Sequence, residues 1–202
     1  MTKTPATQTT VTLNPTITIP KTFKVSYEQF QQLATVNHDL RLERTATGEL
    51  IVMPPTGSDT GNRNLDIEGQ LWLWNRQTRL GKGFNSSTGF YLPNGAARSP
   101  DAAWVSQERW DALTPEEQEG FAPICPDFVL ELRSNANIEP LRAKLREYMD
   151  NQARLGWLID RKNRKVEIYR QGRDVEVLDN PTTLLGEDVL PGFILDLTEI
   201  WQ

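Results

Sequence analysis

A chain of 202 residues with 38% apolar content can bury one sizeable hydrophobic core. Its single cysteine, Cys125, excludes an intrachain disulfide and a Cys-rich zinc site, and its single histidine, His38, leaves a His-based zinc site short of ligands and a Ser/His/Asp triad with one candidate base. The formal charge of −5 excludes a protein coated in DNA-binding charge, so what remains for catalysis is oxygen chemistry, for which carboxylates with Mg²⁺ or Mn²⁺ are best suited.

Residues 1–20 are rich in Thr and Pro and lack the apolar core of a signal peptide, and no apolar run approaches the roughly 20 residues that a membrane span needs. The expectation is a disordered tail over 1–20, a single domain over 21–202, a cytoplasmic location and no membrane partner. Ser26 is placed to N-cap a short helix through residue 35. The runs Leu40-Arg41-Leu42-Glu43 and Leu50-Ile51-Val52-Met53 predict a hairpin around Gly48, ended by Pro54-Pro55-Thr56-Gly57. A helix is expected over 62–79, with Leu65, Leu71, Trp72 and Trp74 as its apolar surface and Gly81 and Gly83 as its stop. One or two strands over 84–92 follow, then a strand over 101–105 and a polar helical excursion over 110–119. After a strand over 128–133 come a helix over 140–152 and strands over 156–160, 165–170 and 175–178. This alternation favours an α/β fold with a central mixed β-sheet flanked by helices.

Two acids stand out. Asp101 lies in Ser99-Pro100-Asp101-Ala102-Ala103-Trp104-Val105, and Glu131 in Pro126-Asp127-Phe128-Val129-Leu130-Glu131-Leu132-Arg133. Side chains two apart on a strand share a face, so Glu131 and Arg133 are expected to project together with Leu130 and Leu132 buried behind them. An acid on one strand and an acid-x-base on its neighbour can hold a divalent metal and neutralise a phosphate under attack. Asp127 also follows a proline, but four residues at about 3.3 Å set it about 13 Å from Glu131, too far to share one ion, and its role reads as structural. Leu65, Glu68 and Trp72 are spaced i, i+3 and i+7, which puts the Glu68 carboxylate on an apolar helix face where it needs a partner: a metal or an arginine. From 133 to 173 the chain carries 11 Lys and Arg against 5 Asp and Glu, a local +6; the remaining 11 basic and 22 acidic residues give −11. That basic segment is either a solvated surface or a face for a phosphate backbone.

The ordered motifs Met53-Pro54-Pro55-Thr56-Gly57, Ser87-Thr88-Gly89-Phe90, Arg98-Ser99-Pro100-Asp101, Pro126-Asp127-Phe128-Val129-Leu130-Glu131-Leu132 and Gly156-Trp157-Leu158-Ile159-Asp160 resemble the Uma-type restriction endonuclease family. It lies within the PD-(D/E)XK superfamily. The resemblance implies a restriction-endonuclease-like core, a Mg²⁺ (or Mn²⁺) dependent endonuclease acting on double-stranded DNA, and metal ligation by Asp101, Glu131 and the backbone carbonyl of Leu132, with Glu68 as a further acid. Cutting both strands calls for two active centres, hence a homodimer.

Arg133 departs from the motif, which has lysine there; an arginine stays protonated and cannot serve as a base, but as a catalytic cation it can still stabilise the charge of the phosphate transition state. Leu141, Lys144, Leu145 and Tyr148 fall at i, i+3, i+4 and i+7, so Lys144 lies along or beside the buried stripe of the next helix. The resemblance makes it the replacement for the missing lysine; a rim lysine off that stripe is the plainer reading. The alternative to an enzyme is an inactive nuclease fold that binds DNA or a protein partner, with Arg133 marking the loss.

Overall fold

The computed structural model describes residues 19–20, 22–134 and 136–202. Residues 1–18 of the expected tail lie outside them. Helix α1 (Tyr27–Val36) starts at a capping box: the Ser26 hydroxyl accepts from the Gln29 N–H, and the Gln29 side chain accepts from the Ser26 N–H. Strands β1 (Arg41–Arg44) and β2 (Leu50–Met53) form the expected hairpin, with Gly48 at φ +90° in its turn. Helix α2 (Ser58–Thr78) begins a turn earlier than its apolar pattern suggested. It ends on Arg79 in the left-handed conformation, before either glycine. Gly81 is needed for another reason: a Cβ there would meet the Val105 carbonyl oxygen at 2.1 Å.

Strands β3 (Gly81–Asn85), β4 (Phe90–Tyr91), β5 (Ala97–Arg98) and β6 (Ala102–Ser106) follow, then two short helices, α3 (Gln107–Asp111) and α4 (Pro115–Glu119). Strand β7 (Phe128–Leu132) leads into α5 (Glu139–Asp150), β8 (Leu155–Asp160), β9 (Lys165–Arg170) and β10 (Glu176–Asp179). Two three-residue strands, β11 (Thr183–Leu185) and β12 (Ile194–Asp196), pair near the end of the chain and were not anticipated. Each buries one central leucine, Leu184 or Leu195, too little to show an alternation in sequence.

The main sheet runs β10-β9-β8-β7-β6-β3, with β7 and β8 the parallel pair and every other pairing antiparallel. Parallel neighbours need a crossover, and α5 supplies it. A smaller sheet, β2-β1-β5-β4, carries the hairpin. The main sheet is apolar on both faces, as a central strand buried on both sides requires. Ile67, Leu71 and Trp74 of α2 pack with Phe128, Leu130 and Trp157 on one face; Leu145 and Tyr148 of α5 pack with Val129 and Leu158 on the other.

The buried stripe of α2 corrects the expected one. Leu65 and Trp72 are 66% and 57% exposed, so the face they share with Glu68 looks outward. The polar residues Arg63 and Asn64 are buried instead. Arg63 donates to the Ile200 carbonyl at 3.1 Å and Trp74 to that of Pro191 at 3.1 Å, so α2 is bound to the C-terminal segment through polar atoms as well as apolar ones.

Helix α5 sits low on the sheet because Gly156 leaves room for it. A Cβ at Gly156 would meet Leu145 Cδ1 at 2.7 Å and Met149 Cε at 3.0 Å. Gly156→Val is therefore expected to destabilise the protein by about 1–3 kcal/mol through overpacking, read from the midpoint of urea unfolding. An unchanged midpoint would show that α5 does not rest on this position.

Candidate active site

All five residues of β7 are buried, and their alternation decides what Glu131 meets. Leu130 and Leu132 belong to the core under α2, and Val129 to the core under α5. Glu131 shares the side of Val129, so a carboxylate on a central strand is driven against α5. Such a group must find a cation or a proton. On α5, Lys144 lies one residue before Leu145, and its ammonium reaches Glu131 Oε1 at 2.8 Å. The same ammonium lies 2.7 Å from Glu43 Oε1 and donates to the Ser99 carbonyl at 3.0 Å. Tyr148 donates its hydroxyl to Glu131 Oε1 at 3.4 Å.

Asp101 arrives from the neighbouring strand. In the β6–β7 ladder Ala102 faces Leu130, which leaves Asp101 one step beyond, across from Glu131. Its Oδ2 accepts the Leu132 N–H at 2.8 Å and its Oδ1 accepts from Asn64 Nδ2 at 3.4 Å. The Asn64 amide oxygen is buried with no hydrogen-bond partner among the described residues. Asp101, Glu131, Leu132, Lys144 and Glu43 all line one cleft of about 970 Å³, with Arg41 and Arg98.

Glu43 and Arg98 extend the cluster. Glu43 Oε1 also accepts the Ser99 N–H at 2.9 Å, and its Oε2 lies 3.1 Å from Arg98 Nη1. Arg98 Nε then pairs with Glu147 at 2.5 Å. Burial pushes the Glu131 carboxyl up to about 8; Lys144 pulls it down, while the charges of Asp101 and Glu43 raise it further. At Glu43 burial is overcome by Lys144 and Arg98, which hold its carboxyl below the ordinary value. Burial also opposes charge on Lys144, but Glu131 and Glu43 raise its affinity for a proton well above the usual lysine, so its cation is firmly held. Two cations, Lys144 and Arg98, thus stand among four carboxylates, Glu43, Glu147, Asp101 and Glu131, a formal surplus of −2. The Glu131 pKa is raised first by burial and only then by its acidic neighbours.

Other expected participants lie elsewhere. The Arg133 guanidinium, one residue past the end of β7, pairs with Asp160 at the end of β8 and donates to the Ala136 carbonyl. Hydrogen bonds from Asn163 and Arg133 outweigh burial and keep the Asp160 carboxyl low. Glu68 accepts the Ser86 N–H at 3.0 Å and lines a separate cleft with Leu65, Trp72 and Phe84, so the helical side chain that reaches Asp101 is Asn64, one turn earlier. Asp127, expected to be structural, accepts the Ser106 N–H at 2.8 Å and pairs with Arg109 at 2.9 Å. The basic stretch from 133 to 173 is largely neutralised, with Arg142 on Glu167, Arg154 on Asp188, Arg161 on Asp59, Lys165 on Asp179 and Arg170 on Glu187.

Sequence reasoning did not find Glu43, Arg98 or Asn64 as site residues. Glu43 follows Leu42 in a strand where both are buried, so no alternation of polar and apolar residues flagged it. The available signal was charge within two short strands, Glu43 in β1 and Arg98 in β5, that pair in the hairpin sheet.

A six-stranded mixed sheet between helices, with acids facing each other on adjacent strands and a lysine from the crossover helix, is the architecture of a restriction-endonuclease-like protein. The family model Uma2, described as "Putative restriction endonuclease", matches residues 27–198, and the chain belongs to that family. Among solved structures it is similar to a protein from Anabaena variabilis ATCC 29413 described as a "putative nuclease belonging to DUF820". The TM-score is 0.73 at 17% identity, over 88% of this chain and 97% of that one. At that identity the likeness carries the fold alone. No curated protein matches this chain. The family supports a nuclease-type function.

The raised pKa of Glu131 has a measurable sign. An unfolded Glu131 loses its proton near 4.5, whereas the folded one keeps it to about 8, so its contribution to stability is complete below about pH 4.5 and is lost as pH rises to about 8. In metal-free buffer the melting temperature of wild type should therefore fall more steeply between pH 5 and 8 than that of Glu131→Gln. Parallel curves for the two proteins would overturn this assignment of the proton.

Proposed function

We propose that this protein is a Mg²⁺ (or Mn²⁺) dependent endonuclease that hydrolyses phosphodiester bonds in double-stranded DNA, acting as a cytoplasmic homodimer built from a single domain over 21–202. The observation that carries the reading is the Lys144 ammonium on Glu131 with Asp101 across the ladder. No helix among the described residues is long and apolar enough to cross a membrane.

The residues present fit a divalent cation. The cluster holds more carboxylates than cations, and among the described residues the Asn64 amide oxygen next to Asp101 is a buried acceptor without a donor. Among the described residues no three His, Cys, Asp or Glu side chains gather closely enough to form a metal cage of their own. Asp101, Glu131 and the Leu132 carbonyl would hold the cation, leaving positions for water and substrate, as suits Mg²⁺ better than an all-protein cage does. Bound there, the metal supplies a water of lowered pKa and offsets charge on the phosphate. Lys144 does the rest as a fixed cation: it stays protonated, so it orients the attacking water and neutralises phosphate charge, and takes no proton. Arg41 lines the same cleft and has no carboxylate partner among the described residues, which suits it to a substrate phosphate.

The reading of an inactive relic rests on Arg133. Lys144 argues against it, since a buried ammonium placed on the motif acid supplies the charge that Arg133 takes to Asp160.

Three variants test the proposal on supercoiled plasmid with MgCl₂. Asp101→Asn should remove both nicking and the heat of Mg²⁺ binding. Lys144→Met should lower cleavage by about 10²–10³-fold, the usual cost of one lost electrostatic contact to the reacting group. It also leaves Glu43 and Glu131 buried without their cation, so Mg²⁺ should raise its melting temperature more than that of wild type. Full activity in either variant would sink the assignment. Arg41→Ala should weaken DNA binding and lessen the slope of log affinity against log salt by about one phosphate contact, roughly 0.9. Sedimentation of the protein with DNA and metal should show a twofold species; a monomer would limit the activity to nicking.

A further inference from the structure

Lys144 has three N–H donors, and each has an acceptor: Glu43 at 2.7 Å, Glu131 at 2.8 Å and the Ser99 carbonyl at 3.0 Å. A cation bound to Glu131 would compete for the same carboxylate and repel the ammonium beside it. With Glu131 as its only carboxylate, Lys144 would be driven from the cleft at the moment its charge is required. Glu43 prevents this.

We infer that Glu43 is the positioning residue that keeps Lys144 in the cleft when Glu131 is given over to a divalent cation, an inference that rests on the metal-dependent reading above. On this account Lys144 exchanges one partner and keeps two, and the N–H released from Glu131 becomes free for substrate or water. The geometry of Glu43 suits the task. It stands on β1, in the smaller sheet, on a different strand from either metal acid. Its Oε2 is fixed by Arg98, which Glu147 holds in turn, and its Oε1 by the Ser99 N–H. Ser99 therefore closes a ring: its N–H fixes Glu43, and its carbonyl holds the ammonium that Glu43 binds. Glu43 is 3% exposed, and both of its oxygens are already bound in this arrangement.

The experiment follows the ammonium itself, through the ¹H–¹⁵N signal of Lys144 in lysine-labelled protein, assigned by its absence in Lys144→Arg. A buried, hydrogen-bonded ammonium exchanges slowly enough to be seen, and a solvated one does not. In wild type the signal should shift and persist as MgCl₂ is added. In Glu43→Gln it should be present without Mg²⁺, when Glu131 and Ser99 still hold the ammonium, and vanish with it. The same variant should lose kcat on the order of 10²-fold, as a misplaced catalytic group does, with KM for DNA near wild type. A residue that merely supported the fold would lose or keep the signal in both states. Disappearance of the wild-type signal while calorimetry shows Mg²⁺ bound overturns this inference and leaves the nuclease reading standing. Persistence of the signal in Glu43→Gln with Mg²⁺ does the same. Absence of any heat of Mg²⁺ binding to wild type overturns the metal reading and this inference with it. If Glu43→Gln does not fold, the wild-type titration alone still decides.

Discussion

A buried ammonium shared by two carboxylates constrains this molecule more than any single apolar contact. Lys144 is held between Glu43 of the hairpin sheet and Glu131 of the main sheet, so two sheets and the crossover helix must meet at one point. Removing one member of such a group leaves an uncompensated buried charge, at a cost of about 3–5 kcal/mol, whereas packing a hydrocarbon there could well be neutral. The cluster is therefore poor value as a staple. Its retention in the middle of a well-packed core makes sense if the charges are used, and the apolar surroundings that make them costly also strengthen their action on a substrate.

Much of the fold could be read because the signals were local. The Ser26 cap, the hairpin around Gly48 and the strand from Phe128 to Leu132 each carry their own pattern of turn residues or apolar runs. Glu131 and Lys144 were legible for the same reason: one breaks an apolar strand, the other borders an apolar helix stripe. What could not be read depends on rotation and on distance along the chain. On α2 the choice between Glu68 and Asn64 turns on which face meets the sheet, and Leu65 and Trp72 pointed to the wrong one by being large and apolar yet exposed. Glu43 lies 88 positions before Glu131 and is joined to it through Lys144, a relation that no periodicity records.

The fate of Arg133 shows how far strand geometry extends. The strand pairing outlasts β7 by one residue, since the Arg133 N–H donates to the Ile159 carbonyl at 2.9 Å. Arg133 then meets Asp160, which ends β8 in parallel register beside it, and the two neutralise each other at the sheet's end. Arginine is apt there, because a planar fork can bind a carboxylate and a carbonyl at once, whereas a compact lysine would satisfy them less well. Lysine in turn is apt at 144, where three acceptors surround a single point charge. The exchange of residue types between the two positions thus follows the shape of each pocket. It also explains why the acid of the motif keeps a cation although the motif's own basic position is paired with Asp160.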